Sequence, residues 1–280
     1  MEKQRGDVQL ASLLNSLKNP ISSEELKTRF KQSINVGFAT QANPYVVSEY
    51  GQLNSPEAAP KNSVAIVNFT DTITKYDQFC SAGAITKANI LQRTDANPNV
   101  KGTILISDGP GGEGSAARLL NDTINKMKKP VIGLIDDLAA SAHYYFMSAC
   151  DKLFVNNNQA LVGSIGTYIT IADYPAYYEE LGLKTLEVYA DDSTDKNRDY
   201  WDAIEYMRSD GKKGSLAGIK KLVNTFNNQF LADVKSNRGH ALKGKDSEWN
   251  TGKLLFTDKA EEIGLIDGVD SLENIIDKFY

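Results

Sequence analysis

Two short segments hold the residue types of acyl-transfer chemistry: Gly109-Pro110-Gly111-Gly112, and Ala139-Ala140-Ser141-Ala142-His143-Tyr144-Tyr145. Consecutive glycines reach backbone conformations closed to other residues and can aim successive N–H groups at one point. Preorganised N–H groups of this kind stabilise an oxyanion as it forms. A tight strand-to-helix turn with no catalytic role would use the same glycines. Ser141 stands where a helix is expected to begin, beside unpaired N–H groups and the positive end of the helix dipole. That setting suits a nucleophile whose reaction creates negative charge, although a serine that only caps the helix would occupy the same place.

A base for Ser141 is not obvious. His143 lies two positions on, about 200° round a helix, and so faces away from the hydroxyl. It reads as a packing residue beside Tyr144 and Tyr145, and His240, after Asn237-Arg238-Gly239, as a surface or packing residue. A Ser-His-Asp triad therefore has poor support. With 2 His and 2 Cys, Cys80 and Cys150, neither a zinc cluster nor a disulfide framework is expected, and no metal or cofactor is called for.

The elements that must position these loops follow from the rest of the chain. Its 280 residues, 41% hydrophobic and 24% charged, can build one large core. A net charge of −5 without a long basic run argues against nucleic-acid or anionic-membrane binding. No stretch approaches the roughly 20 apolar residues of a membrane span, and the opening residues lack the apolar core of a signal peptide. The expectation is a soluble protein of a reducing compartment. Residues 1–60 read as an appendage. It holds a short amphipathic helix carrying Val8, Leu10, Leu13, Leu14 and Leu17, and it ends in a linker, Asn54 to Pro60.

Residues 61–280 read as one α/β domain. Strands are expected at Ser63–Phe69, Gly102–Ser107, Pro130–Ile135, Lys152–Asn156 and Lys184–Ala190. Helices are expected at Thr86–Thr94, Gly114–Lys128, Ala139–Ala149, Tyr174–Leu181 and Ser215–Asn237, with a last one at Asp258–Ile263. Asp136 to Leu138 and Asp191 to Asp199 read as loops. Alternation at this pitch implies a mainly parallel sheet, with chemistry beyond the carboxyl ends of its strands.

Taken together, the motifs resemble peptidase family S49, the signal peptide peptidase A and phage capsid-assembly proteases. The resemblance rests on Ile106 to Gly112, Ala139 to Tyr145, Ala149 to Val155 and Gly163-Ser164-Ile165-Gly166 in order. It extends to Val234 to Gly239 and to Thr251 through Asp267. The family's usual patterns are S-P-G-G, A-A-S-G-G-Y-Y, A-D-K-I and G-S-I-G. Gly109 replaces the serine of the first, and Ala142-His143 replaces the two glycines of the second.

The resemblance implies a crotonase/ClpP-like superhelix of βαβ units and a Ser-Lys dyad. Ser141 matches the nucleophile and Lys196, in Asp191 to Asn197, matches the base, although the loop lacks the family's glycine. The acidic neighbours Asp191, Asp192, Asp195 and Asp199 would have to face solvent, because a basic amine needs a lowered pKa. On this reading the N–H groups of Gly112 and Ala142 form the oxyanion hole. A polypeptide substrate pairs as a strand along Gly109–Gly112, with Gly111 at its centre, or along Gly163, Ser164, Ile165 and Gly166. The resemblance further implies a homo-oligomer in which the lysine can come from a neighbour, and a cytosolic or phage-head setting (prohead or virion). An inactive scaffold of the same fold and a crotonase-type acyl-CoA enzyme are the competing readings.

Overall fold

The computed structural model describes residues 36–40, 43–46, 56–78 and 81–280; the amphipathic helix expected at Val8–Leu17 and Cys80 lie outside them. The chain forms an α/β fold around a largely parallel sheet, as the alternation requires. β1 (Val36–Thr40) and β2 (Asn43–Val46) form an antiparallel pair at one edge, and β1 runs antiparallel to β3 (Ser63–Thr70). The sheet thus begins before the linker at Pro60. From β3 onward the neighbours are parallel: β4 (Val100–Gly109), β5 (Val131–Ala140), β6 (Lys152–Val155) and β9 (Gly268–Val269). β7 (Leu161–Gly163) pairs with β5 and, antiparallel, with β8 (Leu254–Phe256).

Both faces of the central strands are covered, which is why they are almost continuously apolar. On one face Ala65, Val67, Phe69, Leu105 and Ile135 pack under α1 (Ala84–Ala96), α2 (Gly114–Ile124) and α3 (Ala142–Met147). On the other, Val64, Ile66, Ile104, Ile132 and Leu134 meet Ile275 and Ile276 of α8 (Leu272–Asp277). The remaining helices are α4 (Tyr174–Glu180), α5 (Arg198–Arg208), α6 (Ala217–Arg238) and α7 (Thr257–Glu262).

Four sequence expectations change. The segment Asp136 to Leu138, expected as a loop, continues β5. Ile132–Ile135 pairs with β6 while Leu138–Ala140 pairs with β7, and Asp136 and Asp137 are exposed where the strand changes partner. The helix expected from Ala139 consequently starts at Ala142, one residue after Ser141. Lys184–Ala190 is not a strand: it pairs with no sheet edge, and Leu186 and Val188 are 87% and 84% exposed. Finally, Asp258–Ile263 is not the last helix, because α8 follows and seals the second face of the sheet.

Candidate active site

Ser141 joins the end of β5 to α3 with φ 53° and ψ −118°, a region that residues with a Cβ seldom occupy. Its side chain makes no capping hydrogen bond, so capping does not account for it. Instead its N–H donates to the Gly163 carbonyl (2.8 Å) and its carbonyl accepts from Tyr145 N–H (2.9 Å). These two bonds hold a conformation that costs about 1–3 kcal/mol, a form of strain concentrated at functional sites.

The glycine segment lies against this serine. Gly111 and Gly112 have φ of 127° and 152°. A Cβ on Gly111 would stand 2.9 Å from Ser141 Cβ and 3.3 Å from its Oγ, and one on Gly112 would collide with the Ile73 backbone. Ile73 holds the segment like a short strand, donating to Gly111 C=O and accepting from Glu113 N–H, both at 2.9 Å. Among the described residues, the N–H groups of Gly111, Gly112 and Ala142 donate to no protein acceptor. These three backbone donors lie on the residue after Ser141 and on the glycine segment packed against it.

Gly163–Gly166 forms the other wall. Besides the Gly163–Ser141 bond, Ser164 N–H donates to Lys253 C=O (2.7 Å) and Ile165 C=O accepts from Gly252 N–H (3.1 Å). Gly166 lies against Gly252, and Ile165 is fully buried. The chain's own residues 252–254 therefore occupy this edge, as Ile73 occupies one edge of the glycine segment.

His143 faces away from Ser141, as the helical offset requires, but it is more than a packing residue. The ring is fully buried, with Nδ1 2.7 Å from Ser107 Oγ and Nε2 2.7 Å from the Asp71 carbonyl. Burial lowers its pKa to about 4; the Asp71 bond opposes the shift and the charge of Lys87 adds to it. Gly109 and His143 face each other, since a Cβ on Gly109 would stand 2.6 Å from His143 Cε1. The two departures from the S49 pattern are one packing feature beneath the site.

Lys196 is not joined to Ser141 within one chain. It is exposed, in a turn before α5, and it lines a shallow cavity of about 530 Å³ with Asp191, Arg198, Trp201 and Asp202. No residue of the Ser141 or glycine segments lines that cavity. The surrounding arm, residues 167–215, is held to itself by the Arg208–Asp173 ion pair and by Trp201 Nε1 donating to Glu187. It exposes Tyr168, Leu186 and Val188.

Sequence reasoning missed Ser107, Asp71 and Lys87. Lys87, on α1, is buried with Nζ 3.1 Å from the Asn68 carbonyl and 4.4 Å from the centre of the Phe69 ring; burial lowers its pKa to about 8 against the pull of Asp71. A lysine amid apolar neighbours on a core-facing helix was the available signal. The C-terminal motif proves to be structural: fully buried Arg238 donates to Gly264 C=O (3.0 Å) and pairs with Asp267 at 2.8 Å, while Asp267 accepts from Leu153 N–H. Among the described residues no cluster of His, Cys, Asp or Glu could hold a metal ion, and no helix is long and apolar enough to cross a membrane.

Comparison with known proteins identifies the family of the chain. The family model "Peptidase family S49" matches residues 123–279, more than half of the chain, including Ser141, Gly163–Gly166 and Lys196. The protease-named protein MJ0651 of Methanocaldococcus jannaschii is 26% identical over 68% of this chain and 58% of its own length. Protease 4 of Haemophilus influenzae is 32% identical over 46% of the chain and 21% of its own. The capsid assembly protease C of Escherichia phage lambda is 32% identical over 36% of the chain and 23% of its own. The chain thus spans little more than half of the first of these relatives and about a fifth of the other two.

Proposed function

Because the chain belongs to peptidase family S49, we propose that it is a serine endopeptidase on a crotonase/ClpP-like superhelix, with Ser141 as nucleophile and Lys196 as general base. The observation that carries the reading is Ser141 itself. It is a non-glycine residue in a strained conformation that caps nothing, set against a glycine strand with unpaired N–H groups.

The substrate backbone lies alongside Gly109–Gly112. Ser141 Oγ attacks the scissile carbonyl carbon and its proton passes to the Lys196 amine. The N–H groups of Gly112 and Ala142 hold the oxyanion, and Gly111, too small to obstruct, lets the carbonyl reach them. Collapse of the intermediate breaks the C–N bond, and Lys196 returns its proton to the leaving amine. Water, deprotonated by the same amine, then attacks the acyl-enzyme and frees Ser141.

Lys196 is exposed in the single chain, whereas a lysine base must be desolvated to be neutral. The apolar arm supplies the remedy: packed on a second copy, it would bury Lys196 beside that copy's Ser141 while the aspartates stay in solvent. The active form is on this reading a homo-oligomer. The resemblance to a capsid assembly protease favours a cytosolic or phage-head setting and a polypeptide substrate.

The test mixes Ser141→Ala with Lys196→Met, each inactive alone. Subunit exchange should restore part of the activity, since some interfaces pair an intact serine with an intact lysine. Full activity in Lys196→Met would overturn the dyad and redirect attention to Lys184, Lys212 and Lys213. A fully active monomer by light scattering would overturn the assembly.

A further inference from the structure

We propose that His143 is a positioning residue, a clamp that fixes the glycine strand at its working distance from Ser141; this rests on the peptidase reading above. The ring reaches both chain segments that set that strand. Nδ1 meets the hydroxyl of Ser107, two residues before Gly109, and Nε2 meets the carbonyl of Asp71, two residues before Ile73. Ile73 in turn holds Gly111 and Glu113 by their backbones. His143 itself is two residues from Ser141, on the first turn of α3. One side chain therefore ties the nucleophile's helix to the strand leading into the oxyanion segment and to the strand that braces it from outside.

Hydrogen-bond chemistry assigns the tautomer. A carbonyl only accepts, so Nε2 carries the hydrogen toward Asp71, and Nδ1 accepts from the Ser107 hydroxyl. Burial and the charge of Lys87 from α1 hold the ring neutral, the Asp71 bond being the one influence that favours its charged form. Phe146 lies 5.5 Å from the ring centre and limits its tilt. Gly109 completes the fit, because any side chain there would drive the ring off the Asp71 carbonyl.

The clamp acts on geometry, so its loss should lower turnover rather than substrate binding. His143→Phe keeps a ring beside Phe146 but loses both hydrogen bonds. We expect kcat to fall about 10- to 100-fold with KM within about twofold, and labelling by a fluorophosphonate to slow in parallel. His143→Gln, whose amide can still donate toward Asp71, should recover part of the loss. In nitrogen-15 spectra of the full chain, which holds only His143 and the exposed His240, His143 should keep the Nε2–H signature from pH 8 to 5.

Wild-type kcat and labelling in folded His143→Phe would overturn the clamp while leaving the peptidase reading intact, as would an Nδ1–H signature. If His143→Phe does not fold, Ser107→Ala, which removes one hydroxyl, carries the test: a drop in kcat of about threefold or more supports the clamp, and an unchanged kcat overturns it. A wild-type protein that neither cleaves nor labels would overturn the peptidase reading and the clamp with it.

Discussion

His143 fills the space that Gly109 leaves empty, with its Cε1 2.6 Å from where a Gly109 Cβ would stand. Neither residue can therefore be changed without consequence for the other. Gly109→Ala alone should destabilise by about 1–3 kcal/mol, the usual cost of overpacking. In a His143→Gly background the same change should cost less, because the ring is gone, and the cost that remains is set by the Asp71 carbonyl, 2.5 Å from the new Cβ. Urea denaturation of the two single variants and the double variant measures the coupling, and additive effects would refute the contact.

Ser141 predicts an unusual pairing of stability and activity. Ser141→Gly removes the hydroxyl but relieves the positive φ. It should abolish peptide hydrolysis while melting at or above the wild-type temperature, even after glycine's backbone-entropy cost of about 0.5–1 kcal/mol. Ser141→Ala should be equally inactive, with stability within about 1 kcal/mol of wild type, because no capping bond is lost. A clear loss of stability in Ser141→Gly would remove the strain argument.

Lys87 should make stability rise with alkaline pH. Its folded pKa of about 8 lies below its ordinary value of 10.5, so between these the unfolded chain binds more protons than the folded one. Stability should therefore climb from about pH 8 toward 10.5 and lie lower, and flat with respect to this group, below that window. Lys87→Met should flatten the climb and stabilise the protein near neutrality by about 2–3 kcal/mol. A pH profile identical to wild type would show that Lys87 is charged and solvated.

The Arg238–Asp267 pair should act at the opposite end of the scale. Burial pushes the Asp267 carboxyl up, but the Arg238 bond, the Leu153 N–H and the charges of Arg238 and Lys152 outweigh it and hold the pKa below the usual carboxylate range. The pair's contribution is therefore complete above about pH 4 and is lost as pH falls through the lowered value. Arg238→Met should cost about 3–5 kcal/mol at neutral pH by stranding Asp267. Arg238→Met with Asp267→Asn should recover most of that cost and lose the acid dependence, measured by thermal melts from pH 3 to 7.

The sequence by itself determined the alternation of strands and helices, and with it the place where the glycine segment and Ser141 emerge. Buried parallel strands are written locally as short apolar runs such as Gly102 to Ser107, and helices as apolar residues three and four apart. Ser141 and Gly109–Gly112 were legible because glycines and a serine at a strand-to-helix junction carry their chemistry in their own backbone and side chain.

Only the tertiary structure decided what depends on partners distant in the chain. Asp136 and Asp137 read as loop, yet β5 runs through them because it changes neighbour there, from β6 to β7. Lys184–Ala190 alternates like a strand but meets no open edge, so its backbone has nothing to pair with in a single chain. Charges masked α5, whose buried side reduces to Ala203 and Ile204. His143 read as packing because its partners, Ser107 and Asp71, are 36 and 72 residues away, and hydrogen bonds of that span leave no periodic trace in the chain.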